Sequence, residues 1–158
     1  MSANLIRKIS NHSPSWLLRW LGNLWLPFFG AGIKVLKASQ DFRFIQVCLK
    51  KRWYNSNYVG TQFGGSIYAM TDPFFMLMLI QNLGKEYIVW DKGAKVDFLK
   101  PGTTNLYAEF KIDQNLIDDV KDKVGKLGKY VFDLPVSVLD ENQQVIAKIE
   151  KTIYVRKK

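Results

Sequence analysis

The sequence has little cysteine and little histidine. Its 158 residues include one cysteine, Cys48, and one histidine, His12. A single cysteine excludes an intramolecular disulfide and a cysteine-based zinc site, and it favours a reducing, cytoplasmic setting. A single histidine near the N-terminus argues against histidine-based triads, HExxH metal sites and the Asp/His pairs of hydratases. We therefore expect no metal centre in this chain.

Long uninterrupted apolar runs are also missing. The segment SPSWLLRWLGNLWLPFFGAG is the best candidate, but polar and helix-breaking residues interrupt it: Arg19, Gly22, Asn23 and Pro27. A membrane-spanning helix needs about twenty mostly apolar residues. A signal peptide is disfavoured because a polar stretch separates the basic start from the apolar part.

The same segment predicts an amphipathic helix. Ser13 and Pro14 follow the N-cap and N1 pattern. Apolar residues recur at helical spacing: Trp16, Leu17, Trp20, Leu21 and Leu24. This helix either packs on the body of the protein or lies at a membrane interface, as a peripheral contact. We expect an N-terminal helical extension over residues 1–40 and a main domain over residues 41–158, without a second domain.

The composition is that of an ordered protein with an excess of positive charge. Hydrophobic residues make up 47% of the chain, and the net charge is +9. A basic protein attracts nucleic acid, acidic membranes or phosphorylated ligands such as coenzyme A. The basic residues are mostly mixed with acids, and no recognition motif accompanies them, so we expect no nucleic-acid partner.

Hydrophobic periodicity predicts an α+β fold. A strand is expected over 41–54 and a helix over 64–83, followed by strands with alternating apolar residues up to about residue 155. The polar segment 114–128 is predicted to form a short helix or a loop. The alternation favours an antiparallel sheet with one wet face.

Asp72 is the only charged residue between Arg52 and Lys85. The surrounding residues are apolar on every side of the predicted helix, so an unpartnered carboxylate there would be costly. Asp72 precedes Pro73, and Asp followed by Pro often starts a helix. The residues alone leave two possibilities open, a helix cap and a functional carboxylate.

The spacing of Asn57, Phe63, Gly64, Gly65 and Asp72 resembles a motif of the hotdog-fold acyl-CoA thioesterases. Their phenylacetyl-CoA thioesterase-like branch has an Asn or Gln, five residues, a His-Gly-Gly motif, and an acid nine residues after the His. Here Phe63 replaces that His.

The resemblance covers nearly the whole chain. It includes VDFLKPG at residues 96–102, and it is closest to a bacterial group described as tetrameric acyl-CoA thioesterases. It implies a hotdog fold, in which a curved antiparallel sheet wraps one long central helix. Pro73 departs from the family pattern and predicts a bend in that helix. It also implies an acyl-CoA substrate, with coenzyme A present only as part of it and no other cofactor.

The resemblance also implies the roles of individual residues. The catalytic residues would be Asp72 as base or nucleophile, the Gly64 amide at the thioester carbonyl, and Asn57 as a positioning group. The residues expected to contact substrate are Thr61, Phe63, Gly65 and Ser66.

A continuous helix would separate Gly64 from Asp72 by about 12 Å, too far for both to serve one thioester carbonyl. Two antiparallel copies of the helix could bring these residues together. We therefore expect a composite site in a homodimer or tetramer. Two alternatives are a non-catalytic hotdog protein that binds acyl-CoA or lipid, and an adaptor at the membrane surface.

Overall fold

A six-stranded antiparallel sheet wraps around a central helix in this computed structural model, which describes residues 14–158. The strands are β1 Ile33–Ala38, β2 Phe44–Leu49, β3 Tyr87–Phe98, β4 Leu106–Lys111, β5 Lys129–Leu139 and β6 Val145–Lys157. The helices are α1 Ser15–Leu24, α2 Leu26–Ala31, α3 Gly64–Ala69, α4 Phe74–Leu83 and α5 Gln114–Leu127, with a 3-10 turn at Trp53–Asn55.

The strand order is β1-β2-β4-β5-β6-β3, with β1 and β3 at the two edges. Alternate residues of the strands point to the helix side and join α4 in one core. Its largest fully buried apolar side chains include Phe74, Phe110, Met78 and Leu79. The sheet and the central helix confirm the predicted hotdog fold.

The central helix runs from Gly64 to Leu83 in two segments, α3 and α4. Residues Met70–Pro73 between them are not helical. A proline lacks the amide hydrogen that a helix interior needs, which explains an interruption at this point. Asp72 therefore lies in a break, and the 12 Å spacing expected for a continuous helix does not apply.

The polar segment after β4 is a full helix, α5, where the sequence predicted a short helix or a loop. The Asp113 side chain accepts a hydrogen bond from the Leu116 N–H at 2.8 Å, which caps its start. Gly128, with φ of 75°, ends it in the left-handed conformation. Its apolar stripe, Ile117, Val120 and Val124, is buried in the core.

The segment predicted as a helical extension also contributes a strand. Within residues 14–40, the extension holds α1 and α2 but ends in β1, which pairs with β2. Residues 33–38 of the predicted extension thus form a strand that follows its helices. Residues 1–13 lie outside the described part, and the boundary at residue 41 stays a prediction.

Helix α1 packs on the body of the protein with the side that carries Leu18 and Asn23. The Asn23 side chain accepts a hydrogen bond from the Val35 N–H at 2.8 Å and donates one to the Val35 carbonyl at 3.3 Å. These bonds cover part of the outer edge of β1. The predicted apolar face points the other way, since Trp16 and Trp20 are 64% and 63% exposed.

Candidate active site

Lys151 is a buried cation in strand β6. Its neighbours on the same face, Ile149 and Ile153, point into the core. The Lys151 side chain is 1% exposed. Its ammonium group therefore needs partners inside the protein, because an unpaired buried charge is very costly.

Two carboxylates meet this ammonium group. Lys151 Nζ donates a hydrogen bond to Asp72 Oδ1 at 3.0 Å and lies 2.9 Å from Asp91 Oδ2. Neither Asp91 oxygen makes a hydrogen bond of good geometry within residues 14–158. The Asp91 carboxylate is therefore stabilised by its ion pair with Lys151. Nζ also lies 5.0 Å from the centre of the Tyr68 ring. We call Asp72, Asp91 and Lys151 the acid–lysine cluster.

A bulge in β3 belongs to the geometry of this cluster. Asp91 pairs with Ile153, but Gly93 pairs with Thr152, so Lys92 is an extra residue on β3. Directly paired residues of an antiparallel sheet share a face. Asp91 consequently faces the core beside Ile153, within reach of Lys151.

The cluster holds two carboxylates for one ammonium group. Burial raises the pKa of Asp91 to about 6, the Asp72 carboxylate adds to the rise, and Lys151 opposes it. Burial by itself would lower the pKa of Lys151, but both carboxylates reverse this effect and raise it above its ordinary value. The ammonium group therefore stays charged at neutral pH, and Asp91 is the member whose charge changes near pH 6.

We expect this titration to appear in protein stability. The pKa of Asp91 is about 6 in the fold against 3.8 ordinarily. Because the folded state binds the proton more tightly, the Asp91 contribution to the free energy of unfolding is full below pH 3.8 and falls as pH rises to about 6. Relative to Asp91→Asn, the wild type should lose up to about 3 kcal/mol across this window.

Urea unfolding at a series of pH values measures this difference. Asp122→Asn, at an exposed carboxylate of α5, controls for the simple loss of an acid. A wild-type minus Asp91→Asn difference that stays flat between pH 4 and pH 6.5 contradicts the assignment.

Asp72 does not cap helix α4. The N-cap position is Pro73, and no side-chain cap hydrogen bond is present there. The Asp72 side chain instead reaches Lys151 with one oxygen and is 45% exposed. Of the two possibilities left open by the sequence, the cap is excluded, and an accessible carboxylate fixed by a buried lysine remains.

Asn57 shapes the loop before α3. Its side-chain amide donates to Thr61 Oγ1 at 2.8 Å, and its Oδ1 accepts from the N–H groups of Val59 and Thr61 at 3.1 and 3.0 Å. Gly60 at the turn has φ of 80°. Both Asn57 and Thr61 are thus engaged in local hydrogen bonds that fix the turn.

Gly64 and Gly65 begin α3 under two aromatic rings. A Cβ atom on Gly64 would lie 3.1 Å from the Phe98 ring, and one on Gly65 would lie 2.4 Å from the ring of Phe63. Both rings are about half exposed, whereas Ser66 is buried. The missing side chains therefore give the two rings room to lie against the start of the helix.

Lys151 and Asp91 were missed at the level of sequence. The signal for Lys151 was a lysine inside an apolar alternation, between Ile149 and Ile153. Asp91 had no comparable signal, because the alternation along β3 changes phase directly after it, at the extra residue Lys92.

One family model matches most of the chain. It is described as Domain of unknown function (DUF4442), and it matches residues 15–155. The chain belongs to this family. A search of curated proteins finds no match to it.

Solved structures similar to this DUF4442 member share its fold. A Pseudomonas aeruginosa protein described as a probable thioesterase has a TM-score of 0.81 at 16% identity, covering 94% of this chain and 99% of that one. A thioesterase from Haemophilus influenzae has a TM-score of 0.66 at 14% identity, with 90% of each chain covered. The E. coli PaaI protein of the phenylacetic acid degradation operon has a TM-score of 0.59 at 13% identity, covering 91% and 93%.

These structures confirm the resemblance to hotdog-fold proteins described as thioesterases. Two further observations concern residues 14–158 of the DUF4442 member. No group of three His, Cys, Asp or Glu side chains could hold a metal ion there. None of the helices there combines the length and apolar character needed to cross a membrane.

Proposed function

We propose that this protein hydrolyses acyl-CoA thioesters in a composite site at a homodimer interface. The observation that carries the proposal is Asp72, a half-exposed carboxylate whose Oδ1 is held by the buried Lys151. Such a carboxylate is accessible to water and fixed in orientation, as a general base requires.

The proposed reaction uses the free oxygen of Asp72. Asp72 Oδ2 takes a proton from water while the water oxygen attacks the thioester carbonyl. The carbonyl oxygen becomes an oxyanion, which the Gly64 N–H stabilises. The tetrahedral intermediate then expels the thiolate of coenzyme A, which takes the proton back from Asp72, and releases the carboxylic acid. The Gly64 N–H donates no hydrogen bond within residues 14–158, so it is free for this role.

Gly64 and the acid–lysine cluster lie against different stretches of β3, which supports a site made by two chains. Asp91, in the acid–lysine cluster, and Phe98, against Gly64, are seven residues apart, or about 20 Å along a strand. Two copies related by a twofold axis could place Gly64 of one protomer beside Asp72 of its partner.

The open edge of β3 is suited to this pairing. Within residues 14–158, β3 pairs with β6 alone, although it is 12 residues long. A long unpaired edge favours addition of another strand. The opposite edge, β1, is partly covered by Asn23 of α1. We therefore propose dimerisation through β3, and a tetramer would be built from such dimers.

The remaining predicted residues would shape the entrance. Asn57 would act through the turn that it forms with Thr61, rather than by holding water itself. Phe63 and Gly65 would contact the acyl group, with Ser66 beneath them. Surface lysines would bind the phosphates of coenzyme A. The reducing setting indicated by one cysteine favours the cytoplasm.

A second candidate is a non-catalytic protein that binds acyl-CoA or lipid. The observation in its favour is the Phe98 ring, which lies against Gly64 where a thioester carbonyl would need to approach. Phe63 in place of the motif histidine also fits this alternative.

Release of free thiol separates the two candidates. The wild type should hydrolyse some members of a panel of acyl-CoA esters, from short aliphatic to aromatic and long-chain groups, with coenzyme A detected by a thiol reagent. Thermal stabilisation by an acyl-CoA without thiol release by the pure protein would favour the binding protein and contradict the thioesterase.

A further inference from the structure

The N-terminal helices expose a large apolar surface. The side chains of Trp16, Trp20, Leu24 and Trp25 on or beside α1, and Leu26 and Phe29 on α2, are all more than half exposed. The opposite side of α1 packs on the sheet, with Asn23 bonded to Val35. An amphipathic helix that packs on its own fold normally buries its apolar face. Here that face is turned to the outside.

A cationic cleft borders this surface at Phe29. The cleft has a volume of about 340 Å³, and Phe29 of α2 is part of its wall. Trp53 and Tyr54, both exposed, also line it. Three basic residues line it as well: Lys34, Lys50 and Arg52. Within the described part of the chain, none of the three forms a salt bridge.

Most of the net positive charge of the protein lies in residues 1–71. Residues 1–71 contain nine of the 23 Lys and Arg residues but only one of the 14 Asp and Glu residues, Asp41. The surface is therefore both apolar and basic, and within the described part of the chain the residues that line the cleft include no acid. We call the exposed side chains of α1 and α2, together with the cleft, the aromatic–basic surface.

We infer that the aromatic–basic surface docks on an anionic phospholipid membrane. Exposed Trp, Leu and Phe side chains enter the interface between headgroups and acyl chains, where Trp is favoured. Lys34, Lys50 and Arg52 bind the lipid phosphates, each adding to the attraction toward the charged leaflet. The helices lie on the membrane and do not cross it.

Charge also favours an anionic membrane over a second copy of the chain as the partner of the aromatic–basic surface. In a twofold dimer the same patch meets itself, so the cations around the cleft would face cations. Like charges brought together across an interface are unfavourable. An anionic lipid surface removes this repulsion.

Vesicle sedimentation with the full chain tests the inference. We expect binding to vesicles of phosphatidylcholine mixed with phosphatidylglycerol, at least about tenfold weaker binding to pure phosphatidylcholine, and weakening by salt. The variants Trp20→Glu with Leu24→Glu, and separately Lys34→Glu with Arg52→Glu, should each lose at least about tenfold in affinity for the anionic vesicles.

Control variants carry changes of the same kind elsewhere. Leu127→Glu alters an apolar residue of α5 that is 66% exposed, and Lys129→Glu with Lys148→Glu reverses two exposed charges of β5 and β6. The controls should bind like the wild type, and thermal melts should show that all variants fold.

Three results would overturn the inference. The first is no binding of the wild type to anionic vesicles, and the second is an equal loss of binding in the controls. The third is a wild type that does not bind vesicles, together with a solution mass of the Trp20→Glu with Leu24→Glu variant that is half that of the wild type. The last result would assign the surface to contacts between copies. Thiol release is measured without membranes, so the outcome is independent of the proposed hydrolysis.

Discussion

Asp72→Asn should lower kcat for acyl-CoA hydrolysis by about 10²- to 10⁴-fold, the range lost with a positioned general base. The amide keeps the shape of the side chain and can still accept a hydrogen bond from Lys151, but it cannot take a proton from water. KM should change little, because the carboxylate acts on water and not on the bound acyl group. Steady-state kinetics on the best substrate of the panel measures both constants.

The loss of activity should not come from unfolding. Asp72 is 45% exposed, and the buried Lys151 keeps its ion pair with Asp91 at 2.9 Å when the Asp72 charge is removed. Asp122→Asn is the matched control, because Asp122 pairs with Lys126 at 2.7 Å and is similarly exposed. Asp122→Asn should retain full activity. Asp72→Asn with unchanged kcat would remove the base from the proposed mechanism.

The hydrophobic pattern predicts most of this fold because its information is local. Alternation in β4, β5 and β6 reports which face of each strand is buried, and the apolar run of α4 indicates a helix buried on every side. The acid–lysine cluster could not be predicted in this way. It joins residues 79 positions apart in sequence, Asp72 and Lys151, and depends on a bulge that no local pattern marks.

Asp72 also shows that local sequence alone does not identify the partner of a charged residue. The sequence identified it as a charge that needed an explanation, and Pro73 offered a local one, a helix cap. The structure replaces the cap with a partner on β6, because the break between α3 and α4 turns the carboxylate toward Lys151. The ion pair with the distant Lys151 takes the place of the cap, and a functional role for Asp72 stays a prediction.

Gly64→Pro should reduce kcat by about 10²- to 10³-fold, as the loss of one oxyanion-hole donor does. Proline removes the N–H but suits the first position of a helix. The preceding residue, Phe63, already has φ of −65° and ψ of 128°, the extended conformation that proline requires before it. Gly64→Ala is the matched control, since it places a Cβ near Phe98 but keeps the N–H.

Comparing Gly64→Ala with Gly64→Pro separates the steric effect of a side chain from the loss of the N–H donor. If the Cβ disturbs the site by pushing the exposed Phe98 ring, both variants should lose activity equally, and the amide has no special role. If the amide stabilises the oxyanion, Gly64→Ala should stay within about tenfold of the wild type while Gly64→Pro falls much further. Equal loss in both variants contradicts the proposed oxyanion donor.

Combining the two inactive chains tests whether the site is shared. In a heterodimer of Gly64→Pro and Asp72→Asn, purified with two different tags, one composite site carries both defects and the other carries neither. Its activity should therefore be about half that of the wild type, although each parent dimer is nearly inactive. If the site lies within one chain, every protomer of the heterodimer is defective. A heterodimer as inactive as its parents would therefore contradict the composite site. Gly64 and Asp72 would then act together within one chain, or would have separate functions.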